Sequence, residues 1–179
     1  MLEADQTALL VVDFQERLVP KIHAVETVVA NAVKLIQFAR ELQLPTFATE
    51  QYPKGLGNTI NAIATALGDT PIIEKTSFGC FGEPRFLDAI DMSARTQLLV
   101  TGIETHVCVL QTVLAALSQA HEVYVVRDAV GSRRASDYEA ALERMAASGA
   151  SLVTVEMAIF EILRDADRPE FKRILPLVK

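Results

Sequence analysis

Tryptophan is missing from this chain of 179 residues, and aromatic residues of all types make up only 6%. We therefore expect the core to be built from valine, leucine, isoleucine and alanine. Cysteine is scarce as well: Cys80 and Cys108 are too few for the disulfide framework of a small secreted domain. A thiol in a reducing compartment is core filler, a metal ligand or a reactive group, so each cysteine needs one of these explanations.

Basic residues are also in short supply. Lysine and arginine number 17 against 23 acidic residues, which gives a net charge of -6. The pair Arg133-Arg134 is too short to form the clustered basic face that binds phosphate backbones, so we expect no nucleic acid partner. No run of about 18 apolar residues is present, so no membrane span is expected. The N-terminus lacks the basic residues of a secretory signal, which makes a cytoplasmic location the expectation.

Short apolar runs alternate with segments of helical spacing along the whole chain, half of which is hydrophobic. The runs predict parallel strands at residues 7–14, 45–50, 71–75, 97–103, 122–129 and 151–155. Helices are predicted at residues 26–42, 58–68, 85–91, 105–120 and 136–147, near 159–163 and near 171. Asn58 is expected to cap one of them, and Ser136 with Glu139 to form a capping box on another.

This alternation predicts an α/β fold in which a six-stranded parallel sheet is flanked by helices on both faces. Right-handed crossovers make it a three-layer, doubly wound domain, and residues 1–179 are expected to form that one domain. Folds of this type place ligands outside the carboxyl ends of the strands. The reactive side chains at that edge are therefore the first candidates for a functional site.

Three such residues meet this condition. Asp13 follows the first strand, Lys75 ends the third, and Cys108 lies in the opening turn of the helix after the fourth. The helix N-terminus and the Lys75 ammonium would stabilise a Cys108 thiolate, and Asp13 could accept and return its proton. Taken singly, each has a simpler explanation: a loop carboxylate, a solvated lysine and a small core residue. Their convergence at one edge favours a catalytic triad.

An acyl-transfer site also needs donors for an oxyanion and walls for a substrate. The backbone N–H groups of Glu104 and Cys108 are the predicted oxyanion donors. Phe14, Tyr52 and Phe78 flank the predicted site and are expected either to line its pocket or to belong to the core. Cys80 and His106 lie near the site in sequence, and for both a structural role is at least as good an explanation.

The local sequences resemble a known family. VVDFQ around Asp13, EKTSF around Lys75 and TGIETHVCV around Cys108 are similar to the three motifs of the isochorismatase-like cysteine hydrolases. The later segments VRDAVGSR and SGASLVTVEMAIFEIL are also similar to that family, so the resemblance covers nearly the whole chain. It implies hydrolysis of amide or ureido C–N bonds in small molecules through a Cys108 acyl-enzyme, a cis peptide between Ile103 and Glu104, and a homo-oligomer.

The sequence differs from two branches of this family. The metal-containing nicotinamidase branch uses an aspartate and two histidines near the end of the second strand, where this chain reads ATEQYPKGLG without histidine. We therefore expect no metal and no other cofactor. Enzymes that hydrolyse isochorismate commonly lack the nucleophilic cysteine, which is present here as Cys108. The resemblance is thus to the branch whose substrates are unassigned.

Two functions of other classes compete with hydrolysis. A doubly wound sheet also suits a non-catalytic module that binds a small molecule or a nucleotide, but neither GxGxxG nor GxxxxGK[ST] follows a strand. A thiol redox protein would use Cys80 and Cys108, but the chain has no C-x-x-C motif. The hydrolase remains the preferred hypothesis.

Overall fold

The computed structural model describes residues 1–178, and its centre is a six-stranded sheet in which every pairing is parallel. The strand order is β3-β2-β1-β4-β5-β6. These strands are β1 (Thr7–Val12), β2 (Thr46–Gln51), β3 (Ile72–Lys75), β4 (Gln97–Ile103), β5 (Glu122–Gly131) and β6 (Ser151–Val153). The predicted doubly wound α/β fold is confirmed.

Eight α-helices connect or follow these strands within the described residues. They are α1 (Val25–Glu41), α2 (Pro53–Leu56), α3 (Asn61–Leu67), α4 (Pro84–Ser93), α5 (Leu110–Ser118), α6 (Ala135–Ala147), α7 (Val155–Leu163) and α8 (Phe171–Val178). None of the helices formed by residues 1–178 combines the length and the apolar character needed to cross a membrane.

The core has two halves, one on each face of the sheet. Helices α1, α3, α7 and α8 supply apolar side chains to the first half, and α4, α5 and α6 supply them to the second. Strands β1 and β4 are buried along their entire lengths because helices cover both of their faces. This explains why their sequences, TALLVV and QLLVTGI, are nearly continuous apolar runs.

Several predicted element ends are wrong. The first strand stops at Val12 rather than at residue 14, because Asp13 adopts a left-handed backbone conformation with φ of 55°. Asn58 does not cap α3, whose N-cap is Ile60. The capping box at Ser136 is also absent, since α6 already begins at Ala135 and its N-cap residue, Arg134, makes no side-chain cap. In contrast, the Thr154 side chain caps α7 by accepting a hydrogen bond from the Met157 N–H.

Candidate active site

The strand order creates a switch point between β1 and β4. From β1 the chain builds one side of the sheet through β2 and β3, and β4 then starts the other side. In open α/β sheets the crevice at the carboxyl ends of two such strands is the usual ligand site. Asp13 directly follows β1, and the turn that carries Cys108 follows β4. The topology therefore explains why two residues distant in sequence lie at one edge.

Lys75 reaches this edge from the end of β3, two strands away from β1. Its Nζ lies 2.6 Å from Asp13 Oδ2, and both side chains are fully buried. The other Asp13 oxygen, Oδ1, accepts a hydrogen bond of 2.7 Å from the Thr49 hydroxyl. Asp13 and Lys75 thus form a buried ion pair at the predicted edge, with both carboxylate oxygens engaged.

The Lys75 ammonium makes three hydrogen bonds. Besides Asp13 Oδ2, its Nζ donates to the carbonyl oxygens of Phe78 at 2.9 Å and Ser77 at 3.3 Å. An ammonium group has three N–H donors, so all of them are engaged. In this arrangement Lys75 acts on a nearby sulfur through its charge and not through a hydrogen bond.

Cys108 lies in a single π-helical turn, Thr105–Val109, which continues into α5. The N-cap of this turn is Glu104, so Cys108 occupies the fourth helical position. A π-helical turn at a functional site is a frequent observation. The Cys108 side chain belongs to the half of the core under α4, α5 and α6, and only 4% of the residue is exposed.

Burial raises the pKa of the Cys108 thiol well above its ordinary value. The negative charge of Asp13 raises this pKa further, as does a hydrogen bond between the thiol and Asp13, whereas the positive charge of Lys75 lowers it. The Lys75 charge thus favours the thiolate, but burial outweighs it, so the pKa of the Cys108 thiol is raised in the balance. Cys108 is a protonated thiol that faces a carboxylate.

Cys80 and two threonines join this group, and the sequence did not assign them to it. Cys80 Sγ lies 3.7 Å from the Thr49 hydroxyl oxygen, and the Cys80 N–H donates to the Thr112 hydroxyl at 3.0 Å. Thr112 in turn donates to the Cys108 carbonyl oxygen at 2.7 Å. The two cysteines are thus linked through Thr112. The sequence does not single out Thr49, because Glu50 and Gln51 at the same end of β2 are polar as well.

The bond between Ile103 and Glu104 is a cis peptide, which confirms the expectation from the family resemblance. The Glu104 side chain is mostly buried, and its Oε2 accepts hydrogen bonds from Arg133 Nε at 2.9 Å and from the Arg133 N–H at 3.1 Å. Beside this pair, His106 Nδ1 lies 3.0 Å from the Ser132 hydroxyl. Contacts between the β4 and β5 ends therefore fix the segment that leads to Cys108.

The three residues considered for the pocket lining lie in different environments. Phe14 is buried in the half of the core under α1, on the sheet face opposite Cys108, so its assignment to the pocket is wrong. Tyr52 and Phe78 are both about half exposed, at 54% and 53%. They flank Lys75, whose carbonyl oxygen accepts from the Tyr52 N–H and whose Nζ donates to the Phe78 carbonyl.

Two surface cavities open next to Lys75. One of about 350 Å³ is lined by Tyr52, Lys75 and Thr76, and another of about 330 Å³ is lined by Ser77 and Phe78. Neither is lined by Asp13 or Cys108. The buried Cys108 sulfur is therefore not reached through either cavity in this conformation.

Metal-binding side chains are not clustered in the described part of the chain. Residues 1–178 contain no group of three or more histidine, cysteine, aspartate or glutamate side chains placed to hold a metal ion. The expectation that the chain works without a metal stays a prediction.

Comparison with known proteins identifies the family of this chain. The model of the isochorismatase domain matches residues 7–157. Isochorismatase family protein 1B of Dictyostelium discoideum is 38% identical over 181 residues, which cover 98% of this chain and 87% of that protein.

Solved structures extend this similarity. The MAR1 ribonuclease from Caenorhabditis elegans has a TM-score of 0.94 and 37% identity, covering 99% of this chain and 91% of that one. YcaC from Pseudomonas aeruginosa, solved with hexane-2,5-diol and covalent acrylamide, has a TM-score of 0.92 and 28% identity, covering 98% and 90%. With a domain match over most of its length and relatives above 30% identity, the chain belongs to the isochorismatase family of hydrolases.

Proposed function

We propose that this protein hydrolyses an amide or ureido C–N bond of a small molecule, with Cys108 as nucleophile, Asp13 as acid and base, and Lys75 as the charge that stabilises the thiolate. The observation that carries the proposal is the placement of the Cys108 thiol against a carboxylate whose Oδ2 lies 2.6 Å from a buried ammonium. A thiol with a raised pKa needs a base at hydrogen-bonding distance before it can attack, and Asp13 supplies that base.

The proposed reaction has two halves. Asp13 takes the Cys108 proton as the sulfur attacks the substrate carbonyl carbon, and the same proton then passes to the nitrogen as the C–N bond breaks. Water next attacks the thioester, again with Asp13 as base, which releases the acid and restores the thiol. The Lys75 charge favours the sulfur anion at both stages. The N–H groups of Glu104 and Cys108 are the proposed donors to the oxyanion.

Covalent chemistry in a relative supports a nucleophilic sulfur. YcaC from Pseudomonas aeruginosa was solved with covalent acrylamide. Acrylamide is an electrophile toward which thiolates are the most reactive side chains of proteins. We propose that acrylamide adds to Cys108 in this chain as well, and that Tyr52 and Phe78 form the walls past which a small amide approaches.

A screen for ammonia release tests the proposal. Small amides and ureido acids are offered to the parent protein, to Cys108→Ala and, as matched control, to Cys80→Ala. We expect at least one compound to be hydrolysed by the parent and by Cys80→Ala but not by Cys108→Ala. Full activity of Cys108→Ala would contradict a cysteine nucleophile.

RNA is a poorer substrate candidate, although the C. elegans neighbour is described as a ribonuclease. The present chain carries a net charge of -6, and binding to a phosphate backbone requires clustered basic side chains. An RNA substrate included in the same screen distinguishes the two possibilities.

We also propose that the whole chain acts as one domain and forms a homo-oligomer. Helices α7 and α8 follow the last strand and pack on α1 within the same half of the core, which ties the C-terminal segment to the sheet. Met157 and Phe160 on α7 stay substantially exposed. Sedimentation equilibrium should give a mass that is a multiple of 19.6 kDa, and a mass equal to it would contradict the oligomer.

A further inference from the structure

Thr49, near the end of β2, contacts Asp13 at two points. Its hydroxyl donates to Asp13 Oδ1 at 2.7 Å, and its carbonyl oxygen accepts the Asp13 N–H at 3.2 Å. Thr49 itself is 3% exposed, so water does not compete for these bonds. One residue therefore holds both the backbone and the side chain of the proposed base.

The direction of the hydroxyl hydrogen follows from the neighbours. A threonine hydroxyl has one hydrogen, and a carboxylate paired with an ammonium is an acceptor only. The hydrogen of Thr49 is therefore committed to Asp13 Oδ1, and the contact of 3.7 Å with Cys80 must have the Cys80 S–H as donor. The Cys80 S–H thus points to the Thr49 hydroxyl oxygen, and the Thr49 hydrogen points to Asp13 Oδ1.

The hydrogen bonds with Thr49 hold Asp13 in an unusual backbone conformation. Its φ of 55° lies in the left-handed region, which a residue with a side chain seldom adopts and which persists where neighbours hold it. The Asp13 N–H is held by Thr49, and the Asp13 carbonyl accepts the Gln15 N–H at 2.8 Å. With Oδ1 on Thr49 and Oδ2 on Lys75, the carboxylate cannot rotate without breaking a bond.

We infer that Thr49 is a positioning residue, which orients the Asp13 carboxylate so that it can take the Cys108 proton. The inference rests on the proposed function, because it assumes that Asp13 is the base for Cys108. It assigns no contact between Thr49 and substrate. Thr49 acts only through Asp13, so its effect must disappear when Asp13 can no longer act as a base.

The test uses acrylamide as a probe of the Cys108 thiol. A Cys80→Ala background leaves Cys108 as the one cysteine of the sequence, so that intact mass reports its alkylation alone. The rate of adduct formation is compared for this parent, for Thr49→Val, which keeps the shape but lacks the hydroxyl, and for Thr49→Ser, which restores it. We expect Thr49→Val to react about tenfold more slowly, since a hydrogen bond to a charged group is lost, and Thr49→Ser to stay within about threefold of the parent.

A double-mutant cycle separates positioning from packing. Asp13→Asn is combined with Thr49→Val, and the two substitutions together should react no more slowly than Asp13→Asn alone. An equal slowing by Thr49→Val in both backgrounds, or none in the parent, would overturn the inference. Alkylation requires no turnover, so a failed amide screen leaves this result intact, whereas a parent in which Cys108 does not react overturns both proposals.

Discussion

Lys75 Nζ lies 2.6 Å from Asp13 Oδ2, and neither side chain is exposed. A buried pair of this kind differs from a surface salt bridge because removal of one partner strands the other charge away from water. The pair therefore couples the stability of the fold to the chemistry proposed for its edge.

Replacement of Lys75 should reveal this coupling. We expect Lys75→Met to lower the free energy of unfolding by about 3 kcal/mol, because it leaves the Asp13 carboxylate buried and unpaired. The double variant Asp13→Asn with Lys75→Met removes both charges and should lose less than the sum of its two single variants. Urea unfolding measures all three proteins. Additive losses would show that the two side chains do not depend on each other.

Cys80 should make the free energy of unfolding fall as the pH rises in the alkaline range. Burial, followed by the charge of Asp13, raises the pKa of the Cys80 thiol from 9.0 to about 11. The unfolded chain then loses this proton near pH 9, while the folded protein keeps it, so the contribution is complete below pH 9 and is lost as the pH rises toward 11. At about pH 10.5 we expect the parent to have lost about 2 kcal/mol of its free energy of unfolding relative to Cys80→Ala. Between the two pKa values this free energy falls by about 1.4 kcal/mol for each pH unit.

The comparison uses the difference between the two proteins, because other groups that titrate in this range contribute equally to both. Urea unfolding at about pH 8 and about pH 10.5 gives that difference. A parallel pH dependence of the parent and Cys80→Ala would contradict a buried, protonated Cys80.

Tyr52 and Phe78 should affect binding of substrate more than stability. Both side chains are half exposed beside Lys75, so Tyr52→Ala and Phe78→Ala are expected to change the free energy of unfolding by about 0.5 kcal/mol or less. If they line the substrate path, KM for a hydrolysed amide rises with little change in kcat. Met92→Ala, at an exposed site on α4, is the control. A Met92→Ala protein with the same rise in KM would contradict a local role.

Gly102 should tolerate no side chain. Its φ is 150°, and a Cβ at this position would lie 2.5 Å from the carbonyl oxygen and the Cβ of Val12, the residue just before Asp13. We expect Gly102→Ala to cost about 3 kcal/mol or more, because β1 must move away from β4. Gly149→Ala separates the cost of the steric clash from the cost of the backbone conformation. Its φ is 108°, but the atom nearest to an added Cβ is 4.0 Å away, so we expect only the backbone cost of about 1 kcal/mol.

The order of the strands and helices was predictable because each strand is an apolar run that helices cover on both faces. The convergence of the three proposed catalytic residues was predictable because parallel strands bring their carboxyl ends to one edge: Lys75 ends β3, and Asp13 and the Cys108 turn follow β1 and β4. Motif resemblance then supplied the cis peptide at Ile103, which periodicity cannot reveal.

Other properties of the site depend on contacts that a linear sequence does not contain. The raised pKa of Cys108 results from burial under α4, α5 and α6, which outweighs the Lys75 charge that the sequence did reveal. The sequence left Phe14 open between the pocket and the core, and its place in the half of the core opposite Cys108 depends on packing that the sequence does not contain. Thr49 stayed unnoticed because a threonine in a strand is ordinary until its hydroxyl partner is known.

The three hydrogen bonds of Lys75 have a mechanical consequence. Two of them end on the carbonyl oxygens of Ser77 and Phe78, so the loop that carries the Phe78 ring is fastened to the same ammonium that neutralises Asp13. A swing of that loop away from the protein body would have to detach these carbonyls from Nζ. Opening a path to the sulfur on this side would therefore remove two of the three hydrogen bonds of the ammonium that pairs with Asp13.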